Sequence, residues 1–361
     1  MSWFSRINTL ALALCFVVIV FGAFVRLSDA GLGCPDWPGC YGHLVVPEAT
    51  HAVAAAEQKY PSRPVEAPKA WKEMIHRYLA STLGLLIVSL ALMSAFLRRQ
   101  NLPRVLPWVL VALVIFQGML GMWTVTWQLK PLVVTGHLLG GMTTLTLLLW
   151  MRLSLRARKA ALASAAATAS SREPRNERQA WVALKNTGSA LATAAMQPRG
   201  LRALAALGLI VLACQIFLGG WTSSNYAALA CPDFPTCHGS YWPQTDVREA
   251  FTLWRGLDIN YEYGVLDNRA RVTIHFFHRL GALTVTAVLL LLGIVLLNKQ
   301  AAVWRRLGIA VLAALALQVG IGISIVELQL PLALADMHNA GAAILLMVMV
   351  TVNFFVWKRQ T

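Results

Sequence analysis

The sequence predicts an all-α integral membrane protein whose eight transmembrane helices form two tandem, parallel-repeat four-helix bundles. Three observations predict it: long apolar blocks, charge confined between them, and polar signatures that recur after about 200 residues.

Of 361 residues, 57% are hydrophobic and only 13% are charged, which is far more apolar than a soluble domain. Roughly 20 apolar residues cross the hydrocarbon core as a helix. Eight such blocks stand at about 8–26, 75–97, 104–126, 131–151, 203–222, 274–297, 304–326 and 332–356. The first block runs into a Gly-rich polar loop without a small-residue cleavage site, so it reads as a span and not as a signal peptide. Only Met-Ser-Trp-Phe-Ser-Arg-Ile-Asn precedes it, with no Arg- and Ser-rich transit character, and a bacterial plasma (inner) membrane is expected.

The net charge of +15 is topological. Arg6, Arg98, Arg99, Arg104, ten basic residues between Arg152 and Arg202, Lys299, Arg305, Arg306, Lys358 and Arg359 share one side with only two acids, Glu173 and Glu177. Lys/Arg excess marks the cytoplasmic face, which places both termini inside. Such a distribution excludes a nucleic-acid partner, and contact with anionic membrane lipids is secondary.

The repeat divides the chain. Cys34-Pro-Asp-Trp-Pro-Gly-Cys40 follows the first span, and Cys231-Pro-Asp-Phe-Pro-Thr-Cys237 follows the fifth. Gly22 aligns with Gly219, and His76-Arg77 with His278-Arg279. Gln117 precedes His137 by the same 20 residues that separate Gln318 from His338. Four spans per unit is an even number, so both halves enter the membrane in the same sense and are related by an axis along its normal. Residues 1–151 and 203–361 are the two halves. Residues 152–202, rich in Ala, Ser and Arg, read as a cytoplasmic linker, with helix expected over 178–195.

Both Cys pairs fall on the outer, oxidising side. Their spacing suits small disulfide-closed loops; metal thiolates and an electron-shuttling dithiol are the alternatives. Cys15 and Cys214 lie within spans as packing residues. His43, His51 and His238 read as surface histidines of the outer loops.

Four histidines, His76, His137, His278 and His338, open spans two, four, six and eight. Those spans all run inward, so the four share one depth near the outer face. Coordinating groups within a membrane face a bundle interior, and two imidazoles at equal depth on facing helices are what a six-coordinate haem iron needs. A zinc site would instead cluster three or four ligands. Arg77 and Arg279 are placed to pair with haem propionates or to snorkel to the interface. Gln117 and Gln318 are placed to hydrogen-bond across the bundle. Glu73 lies one turn outward of His76 on the same face, where the second half has His275. A carboxylate beside only one site separates a site of chemistry from a site of permanent binding; an interfacial Glu exposed to water is the competing reading.

These residues resemble the haem A synthase family. Gly22-Ala-Phe-Val-Arg26-Leu-Ser-Asp-Ala-Gly-Leu-Gly-Cys34-Pro-Asp-Trp-Pro-Gly-Cys40, Glu73-x-x-His76-Arg77, Gly136-His137 and His278-Arg279 carry the likeness, which covers the chain except the linker. The resemblance implies oxidation of the haem O C8 methyl to a formyl group by successive hydroxylation. It implies haem b as cofactor on His278 and His338, haem O against His76 and His137, and Glu73 as the essential acid. It carries the first-loop pair over to Cys34 and Cys40; the second pair, Cys231 and Cys237, is not expected in every member. A haem O synthase and terminal-oxidase assembly factors are the partners it implies, and a homo-oligomer is compatible with it. A bis-histidine dihaem b-type electron-transfer protein and a haem carrier explain the histidines equally well, but not Glu73 against His275.

Overall fold

A computed structural model describes residues 2–97, 102–170 and 198–357. Arg98, Arg99, Lys358, Arg359 and the helix expected over 178–195 lie outside the described residues. Ten helices appear among those described, and no strands: α1 (Ser2–Leu27), α2 (Thr50–Lys59), α3 (Ala67–Phe96), α4 (Val105–Thr126), α5 (Pro131–Ser170), α6 (Arg199–Ser224), α7 (Val247–Ala250), α8 (Asn268–Leu297), α9 (Ala302–Glu327) and α10 (Leu332–Trp357). Eight of them, all but α2 and α7, are long and apolar enough to cross a membrane.

The helices outrun the apolar blocks where polar residues can still be helical. α3 starts at Ala67, with Pro68 in its first turn, where a missing N–H costs nothing. α8 starts under an Asp267 cap whose side chain accepts from the Ala270 amide, satisfying one of the orphan donors of a helix start. α5 continues past the apolar block to Ser170 through an Ala-rich segment, because alanine is the strongest helix former.

The two halves repeat one packing pattern. α1 packs on α3 and α5, and α4 bridges α3 and α5; α6 packs on α8 and α10, and α9 bridges α8 and α10. Across the halves, α1 meets α10, α5 meets α6, and α5 meets α10. One hydrophobic core runs through both, from Phe4 and Leu148 to Leu289 and Met349. Lipid is as apolar as leucine, so close fit holds such helices together. A Cβ at Gly308 would come within 2.9 Å of the Gly293 carbonyl oxygen. Leu85, Leu92, Ile115, Leu283, Ile294 and Ile309 are exposed and supply the lipid-facing surface.

Polar contacts seal the end of the seam nearest the Cys loops. Arg26 donates to the Ser223 carbonyl at 3.1 Å, and its guanidinium lies 4.1 Å from the Tyr226 ring centroid. Arg63 pairs with Glu262 at 2.8 Å. The buried Lys130 sets its ammonium 3.1 Å from the Trp254 ring centroid, a favourable cation–π placement, and donates to the Gly256 carbonyl.

Candidate functional site

Each half carries a folded Cys loop, an arginine that grips it, and a histidine pair below. Cys34–Cys40 and Cys231–Cys237 are disulfides, with Cα atoms 4.8 and 4.7 Å apart. The metal-thiolate and free-dithiol alternatives therefore do not describe these pairs. After each second cysteine the chain turns back through two left-handed residues, Tyr41-Gly42 and His238-Gly239, a hairpin geometry that favours glycine. The Asp of each CPD motif ties this turn. Asp36 accepts from the Tyr41 and Gly42 amides, both at 2.7 Å. Asp233 accepts from the His238 and Gly239 amides at 2.6 and 2.9 Å, and from the Thr236 hydroxyl.

Those bonds, the Thr236 hydroxyl first, hold the Asp233 carboxyl down at about 2 from its ordinary 3.8. A depressed folded-state value means that the stabilisation is fully present above the ordinary value and is lost as pH falls through the depressed one. Amide exchange at His238 and Gly239 should therefore stay protected on acidification until about pH 2. Loss of protection in the ordinary carboxylate range would show that Asp233 does not tie the turn.

The arginines clamp the loops. Arg77 donates to the carbonyls of Asp36 at 3.0 Å, Pro38 at 3.2 Å and Gly39. Arg279 donates to those of Cys231 at 2.8 Å, Asp233 at 2.9 Å and Thr236 at 2.7 Å. Both guanidiniums therefore face loop carbonyls.

The repeat's one chemical contrast lies under each loop. Glu73 is buried, not exposed at the interface. Its Oε2 accepts from the Cys34 amide at 2.9 Å and its Oε1 from Arg77. His275, also buried, fills the same bracket: the Cys231 amide faces its Nδ1 at 3.2 Å and Arg279 Nε faces its Nε2 at 3.3 Å. A neutral imidazole has one acceptor nitrogen, whereas a carboxylate accepts on both oxygens and keeps lone pairs to spare. Only the first bracket is chemically matched to its two donors, and only it carries a carboxyl group.

Below the brackets, His76 and His137 stand with ring centroids 6.5 Å apart, and so do His278 and His338. After half a ring on each side, that separation holds one metal atom with two bonds of about 2 Å. Glycines on the facing helices make room for the rings. A Cβ at Gly22 would sit 2.7 Å from His76 Nε2, one at Gly219 3.3 Å from His278 Cε1, and one at Gly322 3.0 Å from His338 Cε1. No group of three or more His, Cys, Asp or Glu gathers for a metal ion among the described residues. Two opposed imidazoles suit an iron whose remaining ligands come from a macrocycle, and the residues fit a haem.

Glutamines back the histidines. Gln318 Nε2 lies 3.3 Å from both ring nitrogens of His338 and donates to its carbonyl at 3.1 Å. Gln215, which the sequence reading missed, lies 3.1 Å from His278 Nδ1 and donates to that residue's carbonyl at 3.0 Å. The shared signal was Gln-x-x-x-Gly on the facing span: Gln117 to Gly121, Gln215 to Gly219, Gln318 to Gly322. The first span breaks the rule, with Val18 before Gly22.

Comparisons with known proteins identify the family. The COX15-CtaA family model, described as cytochrome oxidase assembly protein, matches residues 5–350. The chain is 42% identical over 293 residues to a haem A synthase of Shewanella oneidensis, covering 81% of this chain and 78% of that protein. It is 29% identical over 316 residues to a haem A synthase of Methylobacterium radiotolerans (83% and 76% covered), and 27% identical over 296 residues to one of Mesorhizobium japonicum (77% and 69% covered). A match of that extent, over a chain with eight membrane-spanning helices and two histidine pairs, makes this protein a member of the COX15-CtaA family of cytochrome oxidase assembly proteins.

Proposed function

We propose that the protein is a haem A synthase, an oxidoreductase that converts the C8 methyl of haem O into a formyl group. The observation that carries the division of labour is the bracket beneath each Cys loop, which holds a buried carboxylate in one half and an imidazole in the other. In this reading residues 1–151 form the substrate half, with His76 and His137 on haem O. Residues 203–361 form the cofactor half, with His278 and His338 on haem b, and 152–202 join them on the cytoplasmic side. Both termini are cytoplasmic, and the Cys loops and histidine pairs lie toward the outer face.

Haem b, bound by His278 and His338, supplies a redox centre beside the substrate half. The chain's own residues do the rest. His76 and His137 fix the depth and plane of the substrate within the bundle, so that its edge faces Glu73 one turn further out. Each of two successive hydroxylations would break one methyl C–H bond and form a C–O bond, with oxygen drawn from dioxygen or water and two electrons passed to an external oxidant. The resulting geminal diol would lose water to leave the aldehyde. The Glu73 carboxylate can take the proton leaving the methyl carbon or stabilise positive charge there. Arg77 and the Cys34 amide hold it in place. The surrounding apolar core excludes bulk water and strengthens that electrostatic effect.

The deciding measurement is the mass of the haem extracted from protein purified after co-expression with a haem O source. Hydroxylated or formyl haem is expected. Haem b alone would indicate an electron-transfer cytochrome, and unmodified haem O alone a carrier; either result overturns the proposal.

A further inference from the structure

Each Cys loop ends in a short stretch without Asp, Glu, Lys or Arg: Tyr41 to Pro47 in the first half and Gly239 to Gln244 in the second. Charge returns directly after each, at Glu48 and at Asp246. Just past the hairpin turn the first tip carries Leu44 and Val45, and the second carries Tyr241 and Trp242, matching positions at the same offset as the Cys pairs. Leu44 and Trp242 are 79% and 75% exposed, as open as the lipid-facing Leu85 and Leu283 at 67% and 68%. Apolar side chains so exposed on loops of this kind need a surface to meet.

The contacts beneath each tip identify that surface. The Tyr78 hydroxyl donates to the Leu44 carbonyl. Tyr78, Leu85 and Leu92 are exposed at seven-residue intervals on α3, a spacing that keeps them on one face of the helix. Trp242 packs edge-on against Phe276, with ring centroids 5.3 Å apart. Phe276 heads the same kind of line on α8, which continues through the exposed Leu283 and Leu290. Each tip therefore lies over the lipid-facing side of a span, near the end of that span.

The backbone of the tips suits an apolar surrounding. Cys40 and His43 exchange both amide-to-carbonyl bonds at 2.7 and 3.0 Å, and Cys237 and Ser240 do so at 2.8 and 3.2 Å. The Leu44 carbonyl is taken by Tyr78. Internal satisfaction of backbone polar groups is the condition for contact with hydrocarbon, and tyrosine and tryptophan favour the membrane–water boundary.

We propose that Leu44-Val45 and Tyr241-Trp242 dip into the leaflet on the Cys-loop side of the membrane, where their partner is the upper part of the phospholipid acyl chains. The surface they present continues the lipid-facing sides of α3 and α8. It is also tied to the brackets. Arg77 donates to the Gly39 carbonyl beside the first hairpin and to Glu73; Arg279 donates to the Thr236 carbonyl beside the second and faces His275. One loop thus touches lipid at its tip and the bracket at its base. The proposal stands on the membrane spans and is independent of what the histidine pairs hold.

The test uses the full-length protein in phosphatidylethanolamine–phosphatidylglycerol vesicles doped with a phospholipid that carries a diazirine on its acyl chain near the ester. On illumination the diazirine loses dinitrogen, and the carbene inserts into a neighbouring bond; peptide mass spectrometry then locates the adducts. Adducts are expected on both tips and on the exposed sides of α3 and α8, and none on helix α2. Adducts confined to the spans overturn the proposal, whether the tips then face water or a second copy of the chain. Leu44→Asp and, separately, Trp242→Asp should cut labelling several-fold in the altered loop only. Labelling of the spans and of the unaltered loop reports that the fold is intact. Undiminished labelling of the altered loop also overturns the proposal.

Discussion

Glu73→Gln should abolish haem A formation while leaving both histidine pairs loaded with haem. General acid–base or electrostatic roles of this kind contribute about 100-fold or more to rate, so extracted haem should be almost wholly the unoxidised substrate. The amide keeps the volume of the carboxylate but turns a donor toward either the Cys34 amide or Arg77, both of which already donate. A donor facing a donor in a buried site costs about 1–3 kcal/mol, so part of any loss could come from a loosened loop. Glu73→His removes that ambiguity, because the twin bracket in the second half already holds a histidine between a cysteine amide and an arginine. That variant should fold, carry haem and yield no formyl product. Normal haem A output from either variant would remove Glu73 from the chemistry.

His278→Ala should lose haem b and, with it, the synthase activity. His275, one turn outward, is held between the Cys231 amide and Arg279. Gln215 lies 3.1 Å from the His278 ring, and an amide is a poor substitute for imidazole on iron. Pyridine haemochrome analysis should show the protein short by about one haem per chain relative to wild type. Haem b at wild-type stoichiometry would break the assignment of the second half. The first half should still fold, because its helix packing and its Cys loop make no use of His278.

The eight spans were legible because lipid demands long apolar helices and admits few alternatives. The repeat was legible because its markers are chemically conspicuous: cysteine pairs, histidines, and glutamines at fixed distances. Less could be read where a helix leaves the hydrocarbon. An apolar window ends near 75, yet α3 begins at Ala67, and the added turns bring Glu73 under the Cys loop. Its burial arises from a contact between Cys34 and a residue 39 positions away, which no local pattern reports. The same holds for Arg77 and Arg279: sequence gives a guanidinium at the right height, but the loop carbonyls that occupy it are a tertiary fact. Helix α2, short and nearly devoid of apolar periodicity, gave no signal. Gln215 was hidden by the repeat itself, since aligning the halves sets it against Val18 and so makes it look incidental.

Arg26 donates to the carbonyl of a residue 197 positions later, and Arg63 pairs with one 199 positions later, nearly the offset that separates the two Cys loops. A residue can touch its own counterpart only where the line relating the two copies passes between them. Along that line the chemistry discriminates between self and other. Two copies of the first half would bring arginine against arginine at both places, and two copies of the second would bring Glu262 against Glu262 and leave Ser223 without a donor. Like charges so juxtaposed oppose the wrong pairing, while the unlike pairing joins Arg63 to Glu262 and Arg26 to the Ser223 carbonyl. At these two points the seam is built from unlike partners, so each half presents there a surface that fits the other better than a copy of itself.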